Sequence, residues 1–220
     1  MPTLTTDGPI WTLDLGDDEN RFSLEWLSTT AALLDEVAGS DQPAALVTTG
    51  SGKFFSNGLD LEWLGAHPDQ LGSYVDRIHG LFAQVLTLPV PTVAAVNGHA
   101  FGGGAMLAMA HDHRVMRSDR GFFCFPEVDI HIPFTEGMSA LITAKLTPRA
   151  AIDSMTTGRR FGGDDAAETG LVDVATDLDS LLGTAADLVR DRAGKDRTTL
   201  GAIKRTMYAQ VVEALTRPQG

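Results

Sequence analysis

Apolar positions along the chain follow two rhythms, one of period two and one near 3.6, and their alternation lays out the elements. Pro9 to Leu15 alternates as PIWTLDL and predicts a first strand, followed by the polar turn GDDEN. Leu24, Leu27, Leu34 and Val37 recur at helical spacing behind Ser23, a residue suited to capping, and Gly39 ends the run. Ala44 to Thr49 is a short apolar strand, and Asp69 to Leu88 carries an amphipathic helix stopped by Pro89 and Pro91. Thr92 to Val96 is apolar and rich in β-branched residues, as a strand buried on both faces would be. His111 to Arg117 and Gly121 to Phe125 read as two more strands. Thr135 or Pro133 opens a helix through Leu146, Pro148 opens another, and Leu171 to Ala175 is a late strand. Helices from about Leu178 to Arg192 and from about Leu200 to Leu215 close the chain. The strand-strand-helix rhythm predicts an α/β protein made of repeating units.

Two stretches do more than pattern requires. GSGKFFSNGLDLEW, after the Ala44 to Thr49 strand, is too apolar for an ordinary surface loop and predicts a buried or ligand-binding segment. In TVAAVNGHAFGGGAMLAM a strand breaks at Asn97-Gly98, a pair suited to positive φ, and a helix starts near Gly103 among three successive glycines. The first turn of a helix presents N–H groups without intrahelical acceptors, and glycine lets a ligand oxygen approach them. Two other glycine-rich anion sites do not fit. A P-loop continues with Lys and Ser or Thr, and the dinucleotide fingerprint needs a G-x-G-x-x-G spacing that His99 to Phe101 break. Taken alone, the glycines are equally compatible with close packing of a helix on a strand.

The 220 residues, 43% hydrophobic and 21% charged, suffice for one sizeable core. A net charge of −12 opposes binding to nucleic acid, while a small phosphorylated ligand remains compatible with it, with Lys53, Lys204 and Arg205 as candidate cations. The N-terminal stretch has no basic region followed by an apolar one, and no apolar run reaches membrane-spanning length, so a cytoplasmic protein without a membrane partner is expected. The single cysteine, Cys124, lies among Phe122, Phe123 and Phe125 and reads as a buried thiol, in keeping with a reducing compartment. His111, Asp112 and His113 could suggest a metal, but at an apolar-flanked strand end they read as structural, and no metal is expected. Met106, Met109 and Met116 read as core packing.

Taken together, GSGKFFSNGLDLEW and NGHAFGGGAMLAMAHDHRVM resemble the crotonase superfamily, the enoyl-CoA hydratase/isomerase family, and the later FPEVDI and TTGRRFGGDDAAETGLVD segments match in order and spacing. The resemblance implies a crotonase-like spiral of strand-strand-helix units over residues 1–175, with a short C-terminal helical segment over 176–220. It also implies a homotrimer or a dimer of trimers, an acyl-CoA substrate, and no cofactor beyond the coenzyme A carried by that substrate. Carried onto this chain, the family's two oxyanion donors are the N–H groups of Leu59 and Gly103. The substrate-binding set is Lys53, Ser56, Asn57, Gly58, Asp60, Leu61, Phe101, Gly102 and Met106. Hydratases of the family use two glutamates; here the first position is Met106 and the second is Glu127. One carboxylate can still move a proton from C2 to C4, so the resemblance implies Δ3 to Δ2 enoyl-CoA isomerisation with Glu127 as acid/base. Glu136, in PFTEG, resembles the base of some peroxisomal and fungal isomerases and is the alternative. Hydration, thioester hydrolysis and a non-catalytic acyl-CoA-binding relative are the alternative functions.

Overall fold

The computed structural model describes residues 1–218. In chain order the elements are β1 (Thr3–Asp7), β2 (Ile10–Asp14), α1 (Leu24–Gly39), β3 (Ala45–Thr49), β4 (Phe54–Ser56), α2 (Leu61–Ala66) and a 3₁₀ turn (Pro68–Gln70). There follow α3 (Leu71–Leu86), β5 (Thr92–Val96), β6 (His99–Phe101), α4 (Gly103–Ala110), β7 (His113–Arg117), β8 (Phe123–Cys124) and α5 (Glu136–Lys145). The remainder is α6 (Pro148–Met155), α7 (Gly163–Thr169), β9 (Val174–Thr176), α8 (Leu178–Arg190), α9 (Arg197–Met207) and α10 (Ala209–Thr216).

The strands fall into a six-stranded sheet ordered β1-β2-β3-β5-β7-β9 and a three-stranded sheet ordered β4-β6-β8. Only β1 and β2 pair antiparallel; every later neighbour is parallel. Each of the pairs β3/β4, β5/β6 and β7/β8 therefore puts one strand in the large sheet and the next in the small one before a helix returns the chain. That alternation is the spiral expected from the strand-strand-helix rhythm. Helix α4 is enclosed on all sides, which is why GGAMLAMA has no polar position. On the large sheet, Leu181, Ala185 and Val189 of α8 cover Val47, Val93 and Val115. At the other end of the C-terminal segment, Leu215 of α10 lies against Gly137 of α5.

Several local expectations differ from the structure. The first strand is Thr3–Asp7, whose mostly exposed edge residues leave no period-two signature. The run from Asp69 begins as a 3₁₀ turn, so α3 proper starts at Leu71. The expected single helix from Leu200 to Leu215 is two, broken at Tyr208, whose N–H still reaches the Lys204 carbonyl. The pair Asn97-Gly98 uses no positive φ. Instead the Asn97 side chain accepts from Gly50 N–H and donates to the Gly52 carbonyl, while a Cβ on Gly98 would lie 2.1 Å from the Lys53 carbonyl oxygen. Glycine is required there for close approach, and the positive φ falls at Gly102.

Candidate active site

A cavity of about 670 Å³ opens between the loop after β4, the head of α4, α3 and the loop after β8. The loop Ser56–Leu61 is held by a dense set of bonds. Ser56 Oγ donates to the Asn20 carbonyl and accepts from Gly58 N–H. Asn57 N–H donates to the Glu19 carbonyl, Asp60 N–H to the Tyr74 hydroxyl, and Leu61 N–H to the Leu59 carbonyl. Tyr74 is itself anchored by donating to the Phe22 carbonyl. Of the N–H groups from 57 to 61, only that of Leu59 finds no acceptor among the described residues.

The second free donor comes from the head of α4. Gly102 N–H donates to the Cys124 carbonyl, and its φ of +51° turns the chain into the helix. Gly103, the first helical residue, has an N–H with no acceptor among the described residues, at the positive end of the helix. Gly58, at φ +74°, places the loop directly on this end: a Cβ there would lie 2.7 Å from Gly103 N and 3.1 Å from Gly104 N. Two strand-to-helix crossovers thus bring the Leu59 and Gly103 peptides together on one wall of the cavity.

Glu127 enters the same cavity from a turn after β8 in which the Pro126 carbonyl accepts from Asp129 and Ile130 N–H. Glu127 is 8% exposed, and its Oε2 has no hydrogen-bond partner among the described residues. Burial pushes its pKa up to about 7, partly offset by its own backbone N–H. A Cβ on Gly102 would lie 3.2 Å from Glu127 Oε1, so the glycine leaves the carboxyl its room. The other acidic lining residue, Asp69, is exposed at the rim. Met106, 1% exposed, lines the same cavity from α4 and brings no charge or hydrogen-bonding carboxylate to it.

Of the residues singled out from sequence, Asn57, Leu59, Leu61, Phe101, Gly102, Gly103, Met106, Cys124 and Glu127 line this cavity. Ser56, Gly58 and Asp60 shape it from behind, Asp60 by capping α2 through Trp63 N–H. Glu136 is elsewhere: it heads α5, exposed, and pairs with Arg217. Lys53 does not line the cavity, and its Nζ lies 5.2 Å from the centre of the Phe54 ring. Lys204 does not line this cavity; it is buried, donating to the Val90 carbonyl and to Asp112. Arg205 is likewise absent from the cavity wall. The histidines of the HDH run have protein partners: His111 contacts the Leu107 carbonyl and Thr48 Oγ1, and His113 contacts Asp173 and Arg192. The Cys124 thiol is buried, donates to the Gly158 carbonyl, and is pushed up to about 11 by burial.

The cations that do line the cavity are Arg21 and Arg160, neither of which the pattern marked. Arg21 sits just before the α1 cap and is paired with Glu19. Arg160 is exposed beside the Phe101 ring. Thr135, which caps α5 and contacts buried His79 at 2.9 Å, also contributes to the wall.

A two-sheet α/β spiral with a cavity at the head of its enclosed helix places this chain in the crotonase-fold class. A family model for enoyl-CoA hydratase/isomerase matches residues 10–219. The chain belongs to the enoyl-CoA hydratase/isomerase family. It is 38% identical over 200 residues to enoyl-CoA delta isomerase 2, peroxisomal, of Arabidopsis thaliana, covering 86% of this chain and 82% of that protein. It is 32% identical to a carnitinyl-CoA dehydratase of Salmonella agona, with 91% and 77% covered. Among solved structures, the apo form of an Mtb enoyl-CoA isomerase aligns with a TM-score of 0.88 at 26% identity, covering 97% of this chain and 93% of that one. Among the described residues, no helix is long and apolar enough to cross a membrane.

Proposed function

We propose that this enzyme converts 3-enoyl-CoA to 2-enoyl-CoA, with Glu127 as the single acid/base and the N–H groups of Leu59 and Gly103 as oxyanion donors. The observation that carries the reading is one buried carboxyl sharing a cavity, lined also by Met106, with two N–H groups that have no acceptor among the described residues. The likeness to Arabidopsis enoyl-CoA delta isomerases supports it.

Glu127 takes a proton from C2, leaving electrons that spread over C2 to C4 and onto the thioester oxygen. The two donors stabilise that oxygen, and loss of such a donor typically raises a barrier by about 2.7–4 kcal/mol. The same carboxyl then returns the proton to C4, so the double bond ends between C2 and C3. No water enters the balance, and no cofactor is needed beyond the coenzyme A of the substrate. Elimination or addition of water is the second reading, favoured by the likeness to carnitinyl-CoA dehydratase. The test is ultraviolet absorbance with 3-enoyl-CoA and, separately, with 2-enoyl-CoA. Conjugation appearing from the first, with the second settling at the same 2-enoyl to 3-enoyl mixture, supports isomerisation; brisk loss from the second beyond that mixture, with 3-hydroxyacyl-CoA formed, supports hydration.

The proposal extends to a homotrimer or dimer of trimers in the cytoplasm. Exposed Phe122 and Val128, on neighbouring segments outside the cavity, are apolar surface that a second subunit would cover.

A further inference from the structure

The cavity is not uniform along its wall. Polar groups line it at Arg21, Asn57, Glu127, Thr135 and Arg160, whereas α2, the 3₁₀ turn and α3 contribute Leu61, Leu64, Pro68, Leu71 and Val75 beside one charged residue, Asp69. The loop after Glu127 adds Ile130, Ile132 and Pro133, and α5 adds Met138. Val75 and Met138 are buried, but Leu71 is 51% exposed, Leu61 41%, Ile130 44% and Ile132 39%. Leu71 and Val75 are one turn of α3 apart, a rise of about 6 Å, with Gly72 between them on the cavity wall. The apolar wall therefore runs from the interior out to solvent without a closing residue. Large side chains left exposed around one opening are the kind of surface that marks a ligand groove. A pocket for a short acyl group would end in a buried apolar wall instead. Asp69, exposed at this margin, disfavours a tail that ends in a carboxylate.

Resting on the isomerase reading of this cavity, we infer that the substrates are enoyl-CoA thioesters with long, uncharged hydrocarbon tails, held where they leave the protein by Leu61 and Leu71 on one lip and Ile130 and Ile132 on the other. Each methylene moved from water onto an apolar wall strengthens binding by up to about fourfold. Calorimetry with butyryl-, octanoyl- and dodecanoyl-CoA, below micelle-forming concentrations, measures this without any turnover. Dodecanoyl-CoA should bind at least about tenfold more tightly than butyryl-CoA. In parallel, kcat/KM for 3-butenoyl-, 3-octenoyl- and 3-dodecenoyl-CoA should rise with length. Leu71→Glu puts a charge on the lip at a solvent-exposed position and should shrink the dodecanoyl-to-butyryl ratio about tenfold. A ratio unmoved by Leu71→Glu, or binding that is flat or falls with chain length, overturns the inference even if isomerisation is seen. Binding that rises with length without isomerisation at any length supports the open slot and overturns the isomerase reading alone.

Discussion

Two demands on Glu127 pull against one another in the proposed reaction. There its carboxyl must be ionised to accept a proton from C2, yet its burial favours the neutral form and pushes its pKa up to about 7. Activity should accordingly rise about tenfold per pH unit below 7 and level off above it, measured as kcat/KM on 3-enoyl-CoA. Glu127→Gln should lower kcat by about 10²–10⁴-fold while acyl-CoA affinity, read by calorimetry, stays nearly unchanged. The same residue shapes stability. Because its folded pKa lies above the unfolded value of about 4.3, the native protein holds the extra proton between those values, and stability is lost as pH rises through that window. Glu127→Gln should therefore melt higher than the parent above about pH 7, by an equivalent on the order of 1–3 kcal/mol, with the gain vanishing near pH 4. Glu136→Gln is the contrasting case. An exposed pair with Arg217 is worth about 0–1 kcal/mol, so turnover should not change and melting should shift little. At this scale sequence could not separate the two glutamates, because both stand at segments that resemble family bases. Burial and cavity contact separate them, and both depend on where the loop after β8 and the head of α5 fold.

At the scale of elements, α4 is fixed at both ends. Its head abuts the Gly58 loop, and its last carbonyl region is gripped by Lys145 and Arg114, which both donate to the His111 carbonyl. Gly58→Ala should push the loop from Gly103 N and strain a residue at φ +74°, at a cost on the order of 1–3 kcal/mol and at least about tenfold in kcat. Thermal unfolding and steady-state kinetics on the same preparation measure both. Gly103 has less freedom than its place in a first turn suggests, since a Cβ there would lie 2.8 Å from Leu59 Cδ1 and 2.9 Å from Phe22 Cε2. Helices α1 and α3 were legible because their periodic apolar positions are bounded by Ser23, Gly39 and Pro89, and β3 and β5 because each is an apolar run of strand length. The three-residue strands β4 and β6 carry no periodicity of their own, while β8 falls inside the strand expected over Gly121 to Phe125. They exist because each neighbouring turn of the spiral supplies the next edge.

The whole chain combines an acidic surface with a few apolar exposures, and light scattering tests what covers them. A solution mass of three or six times the 23.4 kDa chain is expected, and a monomer at micromolar concentration would sink the trimer proposal. Arg21 and Arg160 were invisible from pattern because each is brought to the cavity by pairing distant in sequence, Arg21 through its bridge to Gly58 and Arg160 through the chain beside Phe161, which pairs with Phe123. The spiral also has a consequence for how such a protein can change over generations. Its two free N–H groups belong to the turns at β4 and β6, while the apolar lips hang on α2, the start of α3 and the loop after Glu127. Mutations that lengthen, narrow or recolour the lips need not disturb the peptides proposed to meet the thioester. Substrate range can drift in one part of the molecule while the bond-making chemistry is inherited intact in another.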